Sequence, residues 1–331
     1  MGNFLKPKIC IIGAGSIAPF HIEAALGAGF ELYAICARPN SNRARILYEK
    51  YNFSRYISDL SEIQYFKPDA ISILSNSENL VEIFKKVSIL KIPILIEKPV
   101  ANSIYDYPND IDLDCDQTLV GYNRRFYSSI QSVKKHLTLA EPIYSNWTIS
   151  ELSNHSDSES YLRIKSIREN VVHILDLLAY LFGPVSKLST ERCFDEIGIK
   201  AISTLIKFKS GACATVNISF NLPDLYEGKI ATSSAVFTLK PIEQLTQRSE
   251  IEIIEPKEES KARIYKTRGP IWNIDKIDLQ FKPGFYKQYL ELKGLVNNTP
   301  RSIGASLRDA KNALTLAEAL LDAKYIPEFF Q

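Results

Sequence analysis

A predicted helix in the second half of the chain carries side chains that suit proton transfer. Four polar residues recur every three or four positions in an otherwise apolar segment, and they are Glu169, His173, Asp176 and Tyr180. Together they form one polar stripe along the helix. A histidine with a carboxylate one turn away on each side is suited to general acid–base catalysis near neutral pH. The spacing also fits the solvated face of a surface helix, although the apolar arc is too wide for that alternative.

Lys98 is the second candidate for chemistry, because it closely follows an apolar run over residues 92–96 that predicts a buried parallel strand. Open parallel sheets bind ligands at the carboxyl ends of their strands. A lysine is costly to hold at the end of a buried strand unless it has a partner, which favours a functional role. The alternative is a charged residue that simply leaves the core before Pro99.

A glycine-rich turn over residues 13–18 predicts a dinucleotide-binding unit. The turn follows an apolar strand over residues 9–12 and precedes a helical pattern, which is the order of elements in such units. Gly13 permits the tight turn, Gly15 lets the backbone approach a pyrophosphate, and Ala18 lets the helix pack closely on the strand. The helix N-terminus presents free N–H groups to phosphate oxygens. The residues predicted to contact the pyrophosphate are Gly13, Gly15, Ser16 and Ile17. An ordinary turn between a strand and a helix is the alternative.

The second predicted strand, over residues 31–36, lacks the acidic residue that usually ends this strand in NAD-binding units. Arg38 stands at that place, where its guanidinium could bind a 2′-phosphate or stack on adenine. The sequence therefore slightly favours NADP over NAD, with a solvated arginine as a nearly equal alternative. The polar loop Ser75-Asn76, after a further buried strand, is expected to touch the same cofactor, and so is Glu97 together with Lys98.

The order of elements predicts an α/β protein with two domains. Short apolar strands alternate with helical patterns over the first third of the chain, which predicts a doubly wound parallel sheet, a Rossmann fold, over residues 1–125. Beyond Phe126 the rhythm changes, and a hairpin is predicted across Ser210-Gly211. We therefore expect an open, mainly antiparallel sheet with helices over residues 126–331. The amphipathic C-terminal helix over residues 306–324 could pack back on the first domain.

The composition of the 331 residues narrows the class of protein. A net charge of +2 implies no general surface for nucleic acids, and no apolar run is long enough to span a bilayer. The N-terminal residues lead straight into the first strand, which leaves no room for a signal peptide. Five cysteines without paired spacing indicate a reduced cytoplasm, and the four histidines form no metal-ligand motif with them. We expect a cytoplasmic protein that binds a small molecule, with no metal, no nucleic acid and no membrane.

These motifs together resemble the Gfo/Idh/MocA family of NAD(P)-dependent oxidoreductases over nearly the whole chain. The resemblance rests on the glycine turn, on the tripeptide Glu97-Lys98-Pro99, on the run over residues 121–126, and on the helix in which Asp176 follows His173. It implies a Rossmann domain followed by an α/β domain whose open sheet often mediates homodimers or homotetramers. It also implies an active site with a lysine at position 98 and a histidine at position 173.

The chemistry that the resemblance implies is hydride transfer between a nicotinamide and a secondary alcohol or ketone of a sugar, sugar nucleotide or cyclitol. His173 would take or return the hydroxyl proton, Lys98 would stabilise the developing alkoxide, and Glu169 would orient His173. Arg125 would pair with a phosphate or carboxylate of the substrate. The residues expected on the substrate side are Tyr122, Asn123, Arg125, Asp176 and the loop around Asn154.

Two departures from the family pattern bear on the substrate more than on the fold. Glu169 stands where family members often have an aspartate, and Ser75-Asn76 replaces a loop that commonly carries Thr-Pro and a histidine. Two other functions stay open: a catalytically silent, cofactor-binding regulatory protein of the same fold, or a dehydrogenase that acts on imines or dihydrodiols. The presence of both Lys98 and His173 argues against the silent protein.

Overall fold

The structure is a computed structural model that describes residues 6–113, 115–137, 141–152 and 159–322. Within these ranges no helix combines the length and the apolar character that crossing a bilayer requires. The same described residues contain no group of three or more His, Cys, Asp or Glu side chains arranged to hold a metal ion.

Two compact units divide the chain, and the chain passes between them more than once. The first unit takes the residues up to Phe126 together with Arg168–Asp176 and Ile277–Glu318, and the second unit takes the rest. A single boundary near residue 125 therefore does not describe the division. The short segment that contains His173 belongs with the N-terminal unit.

A parallel sheet of six strands with intervening helices forms the N-terminal part of the first unit. Its elements are β1 (Lys8–Ile12), α1 (Ala18–Gly27), β2 (Glu31–Cys36), α2 (Asn42–Lys50), β3 (Arg55–Ile57), α3 (Ile63–Phe66), β4 (Ala70–Ile73), α4 (Ser77–Ser88), β5 (Ile94–Ile96) and β6 (Thr118–Val120). The strand order is β3-β2-β1-β4-β5-β6. Strands β1, β4 and β5 are almost wholly buried, as expected where both faces of a sheet are covered. The predicted doubly wound parallel sheet is confirmed.

The strand order reverses between β1 and β4, which places a crevice beyond their carboxyl ends. Three connections begin at this edge: the glycine turn after β1, the Ser75-Asn76 loop after β4, and Glu97 with Lys98 after β5. Segments that are far apart in sequence therefore meet at the edge where open α/β sheets bind their ligands.

One continuous helical segment in the middle of the chain carries His173. The elements that follow β6 are α5 (Ser128–Leu137), β7 (Pro142–Glu151), α6 (Glu159–Ser166) and α7 (Val172–Phe182). A π-helical turn, Ile167–Val171, joins α6 to α7 without a break. The helix predicted over residues 169–182 therefore starts earlier and contains one wider turn. Such π-turns inside α-helices are frequent at functional sites.

A mixed sheet of eight strands forms most of the second unit. The strands after β7 are β8 (Val185–Phe194), β9 (Ile199–Phe208), β10 (Cys213–Phe220), β11 (Glu227–Thr232), β12 (Val236–Leu239), β13 (Leu245–Arg248), β14 (Glu250–Ile254), β15 (Ile264–Arg268) and β16 (Ile271–Trp272). The sheet order is β16-β13-β12-β11-β7-β10-β9-β8, and β14 pairs separately with β15. β7 and β10 pair in parallel, whereas the other pairs in this sheet are antiparallel. The predicted open, mainly antiparallel sheet is confirmed.

The last described part of the chain is helical and returns to the core of the first unit. Its helices are α8 (Lys276–Gln280), α9 (Phe285–Val296) and α10 (Leu307–Leu321). Tyr289 of α9 packs in one core cluster with Ile9 of β1. Leu307 of α10 packs in a second cluster with Cys10 of β1. Because successive residues of a strand point to opposite faces, α9 and α10 cover the two sides of the parallel sheet.

Candidate active site

The glycine turn after β1 has a backbone that requires glycine at its first position. Gly13 has a φ of +107°, and a Cβ built there would lie 2.9 Å from the backbone of Leu74. Its N–H donates to the carbonyl of Cys36 at 2.8 Å, which ties the turn to the end of β2. Gly15 differs, because a Cβ there would come no closer than 4.0 Å, to the carbonyl oxygen of Leu74. Packing gives no reason for this second glycine, which suits a position where a ligand approaches the backbone.

The N-terminus of α1 suits an anion. Ile17 is the N-cap residue, its side chain makes no capping hydrogen bond, and the first turn contains Pro19 but no acidic residue. Ser16, directly before it, is exposed. The N–H groups of Ala18 and Phe20 donate to the carbonyls of Gly15 and Ile17, so the attraction for phosphate oxygens comes from the positive end of the helix dipole and from the turn that precedes it. The four residues predicted to contact a pyrophosphate therefore fit that group, and they are Gly13, Gly15, Ser16 and Ile17.

Arg38 is exposed beyond the end of β2, and its carbonyl accepts a hydrogen bond of 3.1 Å from the Tyr56 hydroxyl. A cavity of about 430 Å³ lies in the same region, with Arg45, Glu49 and Tyr56 among its lining residues. Because both a cation and an anion line it, the charge of this cavity favours neither NAD nor NADP.

The Ser75-Asn76 loop lies at the start of α4. Ser75 is half-buried and Asn76 is exposed. The Asn76 amide donates to the Glu78 carboxylate at 3.2 Å and accepts from the Asn79 amide at 2.6 Å. These bonds hold the Asn76 side chain in place at the edge of the crevice.

Lys98 reaches the helical segment that carries His173. Its Nζ donates a hydrogen bond of 2.6 Å to the carbonyl oxygen of Glu169, which lies in the π-turn about one turn before His173. Both ends of this bond belong to the first unit. The lysine after β5 is therefore linked to the backbone directly before the histidine.

His173 is buried, with 7% of its surface exposed, and the Tyr122 ring meets it edge-on at 5.5 Å between ring centroids. Burial lowers the pKa of His173 well below the usual 6.5, and the positive charges of Lys98, Arg124 and Lys282 lower it further. The imidazole is therefore neutral at physiological pH. The sequence suggests acid–base work by a histidine of near-neutral pKa, and the structure instead gives His173 an environment of burial and positive charge that lowers its pKa.

Glu169 does not orient the imidazole in the way that its spacing predicts. Among the described residues, none is hydrogen-bonded to the buried Nδ1 of His173. Glu169 lies within the π-turn, and a turn of this kind contains one residue more than an α-helical hydrogen-bonded turn. A residue four positions earlier therefore no longer lies directly above His173, as it would in a regular α-helix. The backbone carbonyl of Glu169 accepts a hydrogen bond from Lys98.

Arg125 and Asp176 form a buried, bidentate ion pair. Arg125 Nε donates to Asp176 Oδ2 at 2.8 Å and Nη2 donates to Oδ1 at 2.5 Å, with 6% and 1% of the two side chains exposed. Arg125 Nη1 donates to the Ile303 carbonyl and to the Asp309 carboxylate, both at 3.4 Å. The ion pair argues against a free charge at Arg125 for a substrate anion, whereas the predictions that Arg125 and Asp176 lie on the substrate side stay predictions. Each charge is occupied by the other, because leaving either one buried alone would be costly.

Tyr122 and Asn123 follow β6 and are both buried. The Asn123 amide donates to the carbonyl of Pro283 at 2.9 Å, which ties it to the connection before α9. Tyr122 contacts His173, and burial raises the pKa of its hydroxyl well above 10, so the hydroxyl stays protonated. Tyr122 therefore remains the stronger candidate for the substrate side. Asn154 lies outside the described residues.

Glu97, predicted to contact the cofactor, turns its carboxylate towards the protein. Its Oε1 is hydrogen-bonded to Nε2 of His21 at 3.0 Å, and its Oε2 accepts the Lys98 N–H at 3.2 Å. The sequence motifs predict no role for His21, because it belongs neither to a metal-ligand motif nor to the polar stripe of His173. The available signal was its position, on the face of the first helix that faces the core, close after the glycine turn.

Comparison with known proteins agrees with the geometry of the glycine turn. Residues 7–111 match the model of the GFO_IDH_MocA family, which is described as an oxidoreductase family with an NAD-binding Rossmann fold. A search of curated proteins finds no match to the chain.

Solved structures share the fold of nearly the whole chain. An oxidoreductase from Agrobacterium radiobacter, in complex with NAD+, L-tartaric acid and magnesium, is 17% identical, with 98% of each chain covered and a TM-score of 0.74. A UDP-N-acetylglucosamine 3-dehydrogenase from Acidithiobacillus ferrooxidans is 15% identical, with 99% of this chain and 100% of that chain covered and a TM-score of 0.76. Levoglucosan dehydrogenase, in complex with NADH and levoglucosan, is 16% identical, with 96% of each chain covered and a TM-score of 0.76. Identities this low show a common fold.

The family match begins at the residue before β1 and covers the glycine turn and the Glu97-Lys98-Pro99 tripeptide. The resemblance drawn from these sequence motifs is therefore confirmed. Residues 7–111 of the chain are therefore similar to the NAD-binding Rossmann domain of the Gfo/Idh/MocA oxidoreductase family.

Proposed function

We propose that the protein is an NAD(P)-dependent dehydrogenase that transfers hydride to or from a secondary alcohol or ketone of a sugar, sugar nucleotide or cyclitol. One observation carries the proposal: the bond of 2.6 Å from Lys98 Nζ to the Glu169 carbonyl, which brings a cationic donor to within about one helical turn of the buried His173. Two of the proteins that share the fold are named for sugar-type substrates, which supports this class.

The two candidate catalytic residues have complementary roles. NAD(P), when bound, supplies the hydride acceptor or donor. During oxidation the carbinol carbon loses its hydride, the hydroxyl proton passes to the imidazole of His173, and a carbonyl forms. Lys98 donates a hydrogen bond to the same oxygen and stabilises the negative charge that develops on it. During reduction His173 returns the proton to that oxygen.

The lowered pKa of His173 makes the two residues depend on each other. A neutral imidazole can accept a proton, but a low pKa makes it a weak base and makes its protonated form a strong acid. A substrate hydroxyl that is hydrogen-bonded to a lysine ammonium is more acidic than one in water. Lys98 therefore narrows the gap between the pKa of the hydroxyl and that of His173.

For the cofactor, the proposal retains a slight preference for NADP, with Arg38 on its 2′-phosphate. The absence of a carboxylate directly after β2 supports this preference, because a carboxylate there would repel the phosphate. NAD remains the alternative, in keeping with the description of the matched family domain.

For the assembly, the proposal is a homodimer or homotetramer formed through the open face of the eight-stranded sheet. Tyr144 of β7 and Leu205 of β9 lie on the same face of this sheet and are 39% and 48% exposed. Apolar side chains on a solvent-facing sheet favour burial against a second subunit. Light scattering after size exclusion tests this, and the mass of a monomer at micromolar concentration would contradict it.

Reduction of NAD+ and NADP+ over a panel of sugars, sugar nucleotides and cyclitols tests the main proposal. We expect turnover of at least one substrate, and a kcat about 10²–10³-fold lower in Lys98→Ala with cofactor Kd unchanged. Lys85→Ala is the matched control, because this surface lysine pairs with Asp110 on the solvent side of α4. Cofactor binding without any reduction would indicate the regulatory protein instead, and activity confined to imines or dihydrodiols would change the substrate class.

A further inference from the structure

A chain of hydrogen bonds runs through the buried core of the first unit and ends beside Lys98. His21 of α1 is fully buried and uses both ring nitrogens. Its Nδ1 lies 3.1 Å from the Tyr289 hydroxyl and its Nε2 lies 3.0 Å from Glu97 Oε1. The Tyr289 hydroxyl lies in turn 2.9 Å from the Ser72 hydroxyl. The chain therefore joins β4, α9 and α1 to the residue that precedes Lys98.

Two arrangements of protons satisfy every bond in this chain, and in both of them His21 donates to Glu97. Burial alone would raise the pKa of Glu97, but the hydrogen bond and charge of His21 and the charge of Lys98 lower it below its usual value. An ionised carboxylate only accepts, so Nε2 of His21 carries the proton and donates to Glu97. Nδ1 of His21 either accepts from the Tyr289 hydroxyl, which then accepts from Ser72, or donates to it, and Tyr289 then donates to Ser72. Burial raises the pKa of Tyr289, so its hydroxyl stays protonated in both arrangements.

The carboxylate at the end of this chain is fitted closely against its surroundings. Its Oε2 accepts the backbone N–H of Lys98 at 3.2 Å. A Cβ at Gly121 would lie 2.7 Å from its Oε1 and 3.2 Å from the Glu97 Cα. The glycine that follows β6 therefore leaves the space that the carboxylate fills. The ring of His21 is itself held, at 4.4 Å between centroids, against Phe285 of α9.

We propose that His21 is a positioning residue for Lys98. The chain from Ser72 through Tyr289 and His21 holds the Glu97 carboxylate, and the carboxylate holds the backbone from which Lys98 reaches Glu169. His21 thereby links α1, whose N-terminus would bind the cofactor phosphates, to Glu97. Through Glu97 it is linked to Lys98, which would contact the substrate oxygen. The catalytic part of this inference rests on the proposed function, whereas the positional part does not.

The experiment compares His21→Leu with His21→Gln. Leucine removes both nitrogens, whereas the glutamine amide can still donate to Glu97. Glu23→Gln is the control on the same helix, since Glu23 is exposed and accepts only the Tyr51 hydroxyl among the bonds that the structure gives it. The measurements are kcat and KM, the Kd of NAD(P)H by fluorescence, and hydrogen exchange of the Lys98 backbone amide.

For His21→Leu we expect kcat to fall about 10²-fold, because small displacements of a catalytic group have effects of this size. KM and the Kd of NAD(P)H should stay within about threefold, and the Lys98 amide should exchange at least about tenfold faster, since its acceptor is no longer held. His21→Gln should recover most of the kcat and most of the amide protection.

The outcomes separate this inference from the proposed function. If the wild-type protein binds NAD(P)H but reduces no substrate, the proposed function fails, and the exchange of the Lys98 amide still decides the positional inference. Unchanged exchange in a folded His21→Leu overturns the inference, as does an equal loss of kcat and of amide protection in both His21 variants.

If His21→Leu does not fold, Tyr289→Phe replaces it. This variant keeps the ring and breaks the chain one bond further from Glu97, and it should accelerate the same amide by a smaller factor. Wild-type exchange in Tyr289→Phe would then overturn the inference.

Discussion

Two groups of charged or titratable side chains surround the start of α7 in the first unit, and they differ in how completely the protein occupies them. Arg125 and Asp176 are closed on each other by two short bonds. Lys98 is linked to the segment of His173 through the carbonyl of Glu169, and Nδ1 of His173 is hydrogen-bonded to none of the described residues. Burial is similar for His173 and Arg125, so burial alone does not mark a catalytic group. The two groups differ in that the candidate site contains a buried nitrogen, Nδ1 of His173, that could still form a hydrogen bond.

This comparison predicts two kinds of damage. We call Arg125 and Asp176 the closed pair, and Lys98 and His173 the open pair. Removing a member of the closed pair should mainly lower the free energy of unfolding, whereas removing a member of the open pair should mainly lower kcat. The predictions below test that division, beginning with the largest expected effect.

His173→Leu should lower kcat by about 10²–10⁴-fold, because the proton acceptor is lost. The free energy of unfolding should stay within about 1 kcal/mol of the wild type, since leucine leaves no buried nitrogen without a hydrogen bond. Steady-state kinetics and urea unfolding measure the two quantities. A kcat within threefold of the wild type would remove His173 from the open pair.

Arg125→Met should lower the free energy of unfolding by about 3–5 kcal/mol, because Asp176 is then a buried charge without its counter-ion. The double variant Arg125→Met/Asp176→Leu should recover most of this loss, because neither charge remains. Urea unfolding of the wild type and both variants measures the effect. If the double variant is as unstable as Arg125→Met, then Arg125 stabilises the fold through something other than its ion pair with Asp176.

The same comparison shows which parts of the site can be predicted from sequence. The glycine turn and the position of Lys98 after β5 depend on residues that are adjacent in the chain, so spacing alone predicts them. The partners of buried charges do not follow from spacing. Arg125 and Asp176 are 51 residues apart, and His21 and Glu97 are 76 residues apart. Arg125 therefore looks available in the sequence although the fold occupies it.

The π-turn marks a second limit of sequence reasoning. A spacing of four residues places Glu169 above His173 only if every turn between them is α-helical. The residues of the turn, Ile167–Val171, include no glycine or proline that would indicate a change of pitch.

In the second unit, likewise, alternation predicts the strands β9 and β10 but not the parallel pairing of β10 with β7, which depends on residues 69 positions apart.

Arg38 provides a third case, a cation that is neither buried nor part of either pair. If it binds the 2′-phosphate, Arg38→Ala should raise the Kd of NADPH about tenfold or more, because a hydrogen bond to a charged group contributes about 1.5–3 kcal/mol. The Kd of NADH should stay within about twofold. Lys50→Ala, at the far end of α2, controls for the loss of a positive charge. An equal change for both cofactors would assign Arg38 to adenine stacking or to solvent.

The smallest expected effect is the pH dependence of stability that the open pair creates. The pKa of His173 in the folded protein lies well below the value of about 6.5 in the unfolded chain. Above pH 6.5 the ring is neutral in both states, so it adds no pH dependence. Below pH 6.5 the unfolded chain binds a proton that the folded protein does not, and the folded state therefore loses stability as the pH falls.

His173→Leu should lack this part of the acid sensitivity. The loss in the wild type should approach about 1.4 kcal/mol for each pH unit below 6.5, until the folded pKa is reached. Urea unfolding at pH 7.5 and pH 5.5 measures it as the difference between variant and wild type, which cancels the contribution of carboxylates common to both. If that difference is the same at the two pH values, the fold does not hold His173 neutral. The distinction between an open pair and a closed pair would then have to rest on hydrogen bonds alone.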